Sequence, residues 1–115
     1  MFAGHAKLHN LIAIVDRNRL GATDYTENYN SMEPLAERFR AFGWEAVEID
    51  GNDMQAIVTA LANARQRNGK PKAIVLRTTP GKGVPTLERR ERAHFVRVAN
   101  DEWDALKAEL ETHHG

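Results

Sequence analysis

Residues 11–18 read LIAIVDRN, five apolar side chains from Leu11 to Val15 that give way at once to Asp16, Arg17 and Asn18. A short unbroken apolar run that stops at turn-forming residues is the pattern of a strand covered on both faces, as in a parallel sheet. The polar stretch continues through RLGATDYTENYN to Asn30 without helical periodicity, so the strand empties into a long loop. Asp16 and Asn18 stand at that exit.

Two further strands follow the same grammar. WEAVEID (Trp44 to Asp50) has Val47 and Ile49 as its core, and KAIVLRT (Lys72 to Thr78) is the third. A helix is expected over Ser31–Phe42, with Ser31 as its cap, Pro34 in the tolerant first turn, and Leu35, Phe39 and Phe42 on one face. Gly43 ends it. A second helix is expected from about Asp53 to Arg67 with Met54, Ile57, Val58 and Leu61 as its apolar stripe, broken by NGKP. A last one, from about Asp101 to Glu111, places Trp103, Leu106 and Leu110 on one side.

Strands alternating with helices imply a parallel sheet with right-handed crossovers, an α/β fold in three α/β/α layers. In that geometry the exits at Asp16–Asn18, Asp50–Asn52 and Thr78–Lys82 open on one edge, where ligands of open parallel sheets bind.

Composition narrows the function. The chain has 115 residues, enough for one domain, with 42% hydrophobic side chains and 16 basic residues balanced by 16 acidic ones. The zero net charge argues against a dedicated nucleic-acid or anionic-membrane binder. With no cysteine, disulfides, thiolate catalysis and Cys-ligated zinc are excluded. The apolar runs are too short to cross a bilayer, and MFAGHAKLHN lacks the apolar stretch of a secretory signal. A soluble, cytoplasmic protein without a membrane partner is expected.

Three stretches could carry chemistry. In Asp16-Arg17-Asn18-Arg19-Leu20, the Asn18 amide oxygen and the Leu20 carbonyl are a hard-oxygen pair suited to Mg²⁺. Asn18 could equally bond its own loop, as Asn does after strands. TTPGKGV (Thr78 to Val84) flanks Lys82 with glycines that let backbone N–H groups and an ammonium approach an anion. It is not a Walker motif, since the spacing differs and no helix is expected directly after it. ERRERAHFVR (Glu88 to Arg97) sets His94 among arginines that favour its neutral imidazole, or is simply a solvated surface.

The stretches KLHNLIAIVDRNRL, EPLAERFRAFGWEAVEIDGND, GKPKAIVLRTTPGKGV and HFVRVANDEWDAL together resemble the amino-terminal, thiamine diphosphate-binding domain of transketolases, closest to the N-terminal subunit of split bacterial enzymes. Such enzymes move a two-carbon ketol unit between sugar phosphates with thiamine diphosphate and Mg²⁺. The resemblance implies that Asn18 is a metal ligand and that the Leu20 carbonyl completes the site. It places Lys82 in the glycine-rich loop at the active-site rim and His94 near cofactor and donor sugar. The family's Gly-Asp-Gly does not occur before Asn18, so residues 1–115 are expected to form about half of that domain. The carboxylate that activates the cofactor has no match here. Two readings follow. One is a partial diphosphate–Mg²⁺ half-site, completed by other transketolase segments or a subunit within a homo-oligomer. The other is a non-catalytic α/β assembly module, with an anion-binding domain behind both.

Overall fold

The computed structural model describes residues 1–90 and 96–114. In chain order its elements are α1 (Phe2–His5), β1 (Ile12–Arg17), α2 (Thr26–Tyr29), α3 (Leu35–Ala41) and β2 (Glu45–Asp50). They continue with α4 (Met54–Ala64), β3 (Lys72–Arg77), α5 (Pro85–Glu88) and α6 (Trp103–His114). The sheet has three strands in the order β1-β3-β2, all parallel. Residues 12, 45 and 72 begin the shared register and residues 17, 50 and 77 end it, so the three exits do open on one edge.

The order explains the core. β3 is central, and Ala73, Ile74 and Val75 are buried in succession because helices cover both faces. Ala73 and Val75 point to the side of α3, where Leu35, Ala36 and Ala46 join them. Ile74 points to α4, against Ala60 and Ala64. Burying one such aliphatic side chain is worth roughly 1.5–3 kcal/mol. Val75, with no exposed surface, is the anchor of the three layers.

The apolar run that suggested a doubly covered strand belongs instead to an edge. Among the described residues nothing pairs with the outer side of β1, and Ile14 is 55% exposed. The molecule is correspondingly broad and thin, 53 × 35 × 18 Å, with a radius of gyration of 17.3 Å. A compact domain of this length has about 13 Å.

Helix boundaries moved for local reasons. α3 begins at Leu35, not Ser31, because Pro34 is extended (ψ 114°) and the Glu33 carboxylate, rather than Ser31, accepts the Leu35 N–H at 3.2 Å. Gly43 ends it at φ +84°, a conformation that costs other residues about 1–2 kcal/mol. Asp53 caps α4 by accepting from Gln55 and Ala56 N–H at 2.8 and 3.2 Å, a contact worth about 1 kcal/mol. The inward stripe of α4 is Ile57, Ala60, Leu61 and Ala64; Met54 and Val58 are exposed. On α6 only Leu106 of the expected trio is buried. A single helical turn, α5, does open directly after the glycine loop, begun by Pro85. Glu109 of α6 accepts both the backbone N–H (2.9 Å) and the hydroxyl (2.5 Å) of Thr86, tying α6 to that turn.

Candidate functional site

The three exits are cross-linked by hydrogen bonds. The Thr78 hydroxyl donates to the Asp16 carboxylate, joining β3 to β1. Asn52 Oδ1 accepts the Thr79 N–H at 2.8 Å, and the Gly51 N–H donates to the Arg77 carbonyl at 2.7 Å, joining β3 to β2. Between them lies a cleft of about 390 Å³ whose walls include Arg19, Asp50, Asn52, Arg77, Thr79 and Lys82. Asp50 turns part of its charge inward to the Asn52 N–H at 2.8 Å. Arg17, itself paired with Glu27 and Glu33, also lines this space, so four cations border it with one carboxylate, a setting that favours an anionic ligand. A second groove of about 400 Å³ runs beneath α4 along β2, where Val47, Ile49, Ala60 and Ile74 form its apolar floor and Glu45, Asp53 and Lys72 are its charged residues, the first and last paired with each other. It lacks a comparable set of cations.

Asn18 and Leu20 are brought together. Asn18 Oδ1 accepts the Leu20 N–H at 2.8 Å, which closes a turn over Arg19. Leu20 and Tyr25 face each other as an isolated antiparallel bridge, whose two bonds run from Gly21 N–H to Asp24 O and from Thr26 N–H to Arg19 O. In such a non-hydrogen-bonded pair the N–H and C=O of each residue point away from the partner. The Leu20 carbonyl therefore lies on the side of its own N–H, which is the side of Asn18. Among the described residues it accepts no hydrogen bond. An amide oxygen has two lone pairs, so Asn18 Oδ1 keeps one beyond its loop bond. The loop role and the ligand role are thus compatible in one residue.

These two neutral oxygens suit a hard cation such as Mg²⁺. They are not a complete set: among the described residues no three His, Cys, Asp or Glu side chains converge as metal ligands.

Arg19, between the two, holds φ +65°. A non-glycine residue in the left-handed region costs of order 1–3 kcal/mol and persists only where its surroundings enforce it. A Cβ at Gly21 would fall 1.6 Å from the Tyr29 hydroxyl oxygen, so a larger residue there would push that exposed ring aside.

Reading the sequence passed over Arg17, which is 5% exposed. Its Nε donates to Glu33 Oε1 at 2.9 Å, Nη1 to Thr26 Oγ1 at 2.9 Å and Nη2 to Glu27 Oε1 at 2.7 Å. The Met32 N–H, chief among several donors, holds the Glu27 carboxyl below its ordinary range, with Arg17 adding to the effect. An arginine at a strand exit reads as solvated, and only its spacing to Thr26, Glu27 and Glu33 hints otherwise.

Lys82 lies on the cleft, with Nζ 3.7 Å from Glu88 Oε1. That same oxygen takes the Gly83 N–H at 2.9 Å, while the N–H groups of Lys82 and Val84 bond the carbonyls of Thr79 and Gly81. With the Thr79, Lys82, Gly83 and Val84 amides engaged, the loop offers an anion chiefly the Lys82 ammonium. His94 lies outside the described residues.

Comparison with known proteins shows the family and the fold. The transketolase thiamine diphosphate binding domain family matches residues 1–114. A transketolase family protein of Sinorhizobium fredii is 50% identical over 104 residues, covering 90% of this chain and 37% of its own length. The 6-deoxy-6-sulfo-D-fructose transketolase subunit of a Clostridium species is 40% identical over 111 residues, 96% of this chain and 40% of its own. The chain thus spans about two fifths of these relatives. The crystal structure of transketolase from Campylobacter jejuni superposes with a TM-score of 0.68 at 25% identity, covering 98% of this chain and 21% of that one. With the family match running over residues 1–114 of this parallel α/β fold, the chain belongs to the transketolases, within their N-terminal thiamine diphosphate-binding domain.

Proposed function

We propose that the chain contributes part of the diphosphate–Mg²⁺ half-site of a transketolase that moves a two-carbon ketol unit between sugar phosphates. The observation that carries this reading is the turn at Asn18: its side-chain oxygen and the Leu20 carbonyl share one side of the loop at the exit of β1. Thiamine diphosphate, when bound, supplies the carbon nucleophile, and the protein supplies orientation and charge. Asn18 and Leu20 hold the metal through neutral oxygens, and its remaining ligands come from outside this set. Lys82, with Arg77 beside it on the cleft, neutralises phosphate; family likeness alone assigns His94 to the donor sugar. Other transketolase segments or a subunit complete the enzyme.

Asn18→Ala tests this. In a complex reconstituted with the remaining transketolase segments, loss of one ion-coordinating contact should cost roughly 1.5–3 kcal/mol. That is one to two decades in metal-dependent cofactor affinity. The melting temperature of the chain alone should fall only by what the Leu20 N–H bond is worth, about 0.5–1.5 kcal/mol of stability. A destabilised chain with unchanged cofactor affinity would make Asn18 a loop residue and remove this reading.

A second reading, a non-catalytic assembly module, rests on the exposed Ile14 and the unpaired edge of β1. The two readings part on the same titration, because an assembly module loses no cofactor affinity with Asn18.

A further inference from the structure

We infer that Arg17 and Thr26 form a positioning relay that fixes the Asn18–Leu20 turn in the geometry a cation needs; the inference rests on the half-site reading above. The relay can be followed atom by atom. Arg17 Nη1 donates to Thr26 Oγ1 at 2.9 Å, and the same hydroxyl donates onward to the Arg19 carbonyl at 3.3 Å. The Thr26 N–H reaches that carbonyl too, at 2.9 Å. A threonine hydroxyl has one proton and two lone pairs, so accepting from Arg17 leaves its proton for Arg19. Arg19 is the left-handed residue between the two oxygens, so the relay grips the turn at its least favourable backbone position.

The far end of the relay is anchored. Glu27 and Glu33 hold two other nitrogens of the guanidinium, and each carboxylate is itself fixed. Glu27 accepts the Met32 N–H at 3.0 and 3.3 Å, and Glu33 accepts the Leu35 N–H at the start of α3. Arg17 thus links the end of β1, the loop and α3, each with its own packing. A planar fork with donors in fixed directions suits this task, and lysine, with one rotatable ammonium, does not.

The test uses the full chain and the pair Thr26→Val and Thr26→Ser. Valine keeps the shape and the backbone N–H but breaks the relay; serine restores the hydroxyl. Amide hydrogen exchange of Leu20, whose N–H donates to Asn18, reports the turn directly. Thr26→Val should speed Leu20 exchange about tenfold, the effect of one lost hydrogen bond, and leave Val75 at its wild-type rate. Thr26→Ser should match wild type. Arg17→Lys should reproduce the valine result, and if it fails to fold the threonine pair still decides. Equal exchange in the valine and serine variants overturns the relay, as does equal acceleration at Leu20 and Val75.

The functional half is read in the complex reconstituted with the remaining transketolase segments, by titrating Mn²⁺ and following paramagnetic broadening at the Asn18 side-chain amide. Broadening that weakens about tenfold in Thr26→Val and returns in Thr26→Ser supports a positioning role. Wild-type broadening that Thr26→Val leaves unchanged overturns it. No broadening in wild type overturns the half-site reading and with it the metal role of the relay, while the exchange rates still decide whether the relay holds the turn.

Discussion

Lys72 Nζ and Glu45 Oε2 meet at 2.7 Å across the first register pair of β3 and β2, with Lys72 buried and Glu45 half in water. Asn68 Oδ1 supplies a second acceptor for the ammonium at 2.5 Å. The pair is asymmetric, and so are the expected losses. Glu45→Ala strands a buried cation with one neutral acceptor and should cost about 1–3 kcal/mol. Lys72→Met removes the charge from the interior and leaves Glu45 to water, so it should cost less than about 1 kcal/mol. Chemical denaturation of the two variants measures the difference, and equal losses would refute the asymmetry.

The same pair predicts acid lability. The Lys72 hydrogen bond, followed by that of Asn68, holds the Glu45 carboxyl below its ordinary 4.5. A depressed folded value means the contribution is complete above 4.5 and is lost as pH falls through the folded value. Glu102, held down chiefly by the Ala99 N–H, acts in the same direction. Thermal melts on the acid side should therefore fall with pH, and Glu45→Gln should flatten that limb. An unchanged acid limb in Glu45→Gln would show that the pair does not couple to folding.

Self-association should depend on the open side of β1. Ile14 is exposed on an edge strand whose backbone groups lack a partner strand among the described residues, a combination that favours pairing. Sedimentation should show association of the wild-type chain and a shift toward monomer in Ile14→Lys. An equally associated variant would move the contact elsewhere.

The chain by itself should show no ketol transfer with thiamine diphosphate and Mg²⁺. Two neutral oxygens leave Mg²⁺ better served by water, which it surrenders reluctantly. Turnover by the purified chain in a coupled sugar-phosphate assay would contradict this.

Much of the architecture was legible because each strand carries its own apolar run and polar stop. The parallel pairing, the common exits and the start of α4 near Asp53 follow from local pattern. What failed depended on neighbours. LIAIV looks doubly covered whether or not another strand lies beside it, and Met54 and Val58 fit a helical stripe that the sheet does not use. Asn18 and Leu20 could be named through family likeness, whereas the side they share depends on the Leu20–Tyr25 bridge, which no local pattern announces. Arg17 was illegible because its three acceptors, Thr26, Glu27 and Glu33, come from a loop that periodicity leaves blank.

The outer side of β1 has a further consequence. A strand added there in parallel would lie about 4.8 Å away. The parallel hydrogen-bond ladder would align its direction with that of β1. Its first loop residues would then emerge beside Asn18, on the rim that already holds Arg19 and Lys82. Whatever side chain that incoming strand carries at its tip becomes the next neighbour of the Asn18 oxygen. The bare edge of β1 is thus an address: it sets where the exit loop of any added parallel strand would emerge, beside the Asn18 turn, before any contact with that turn is made.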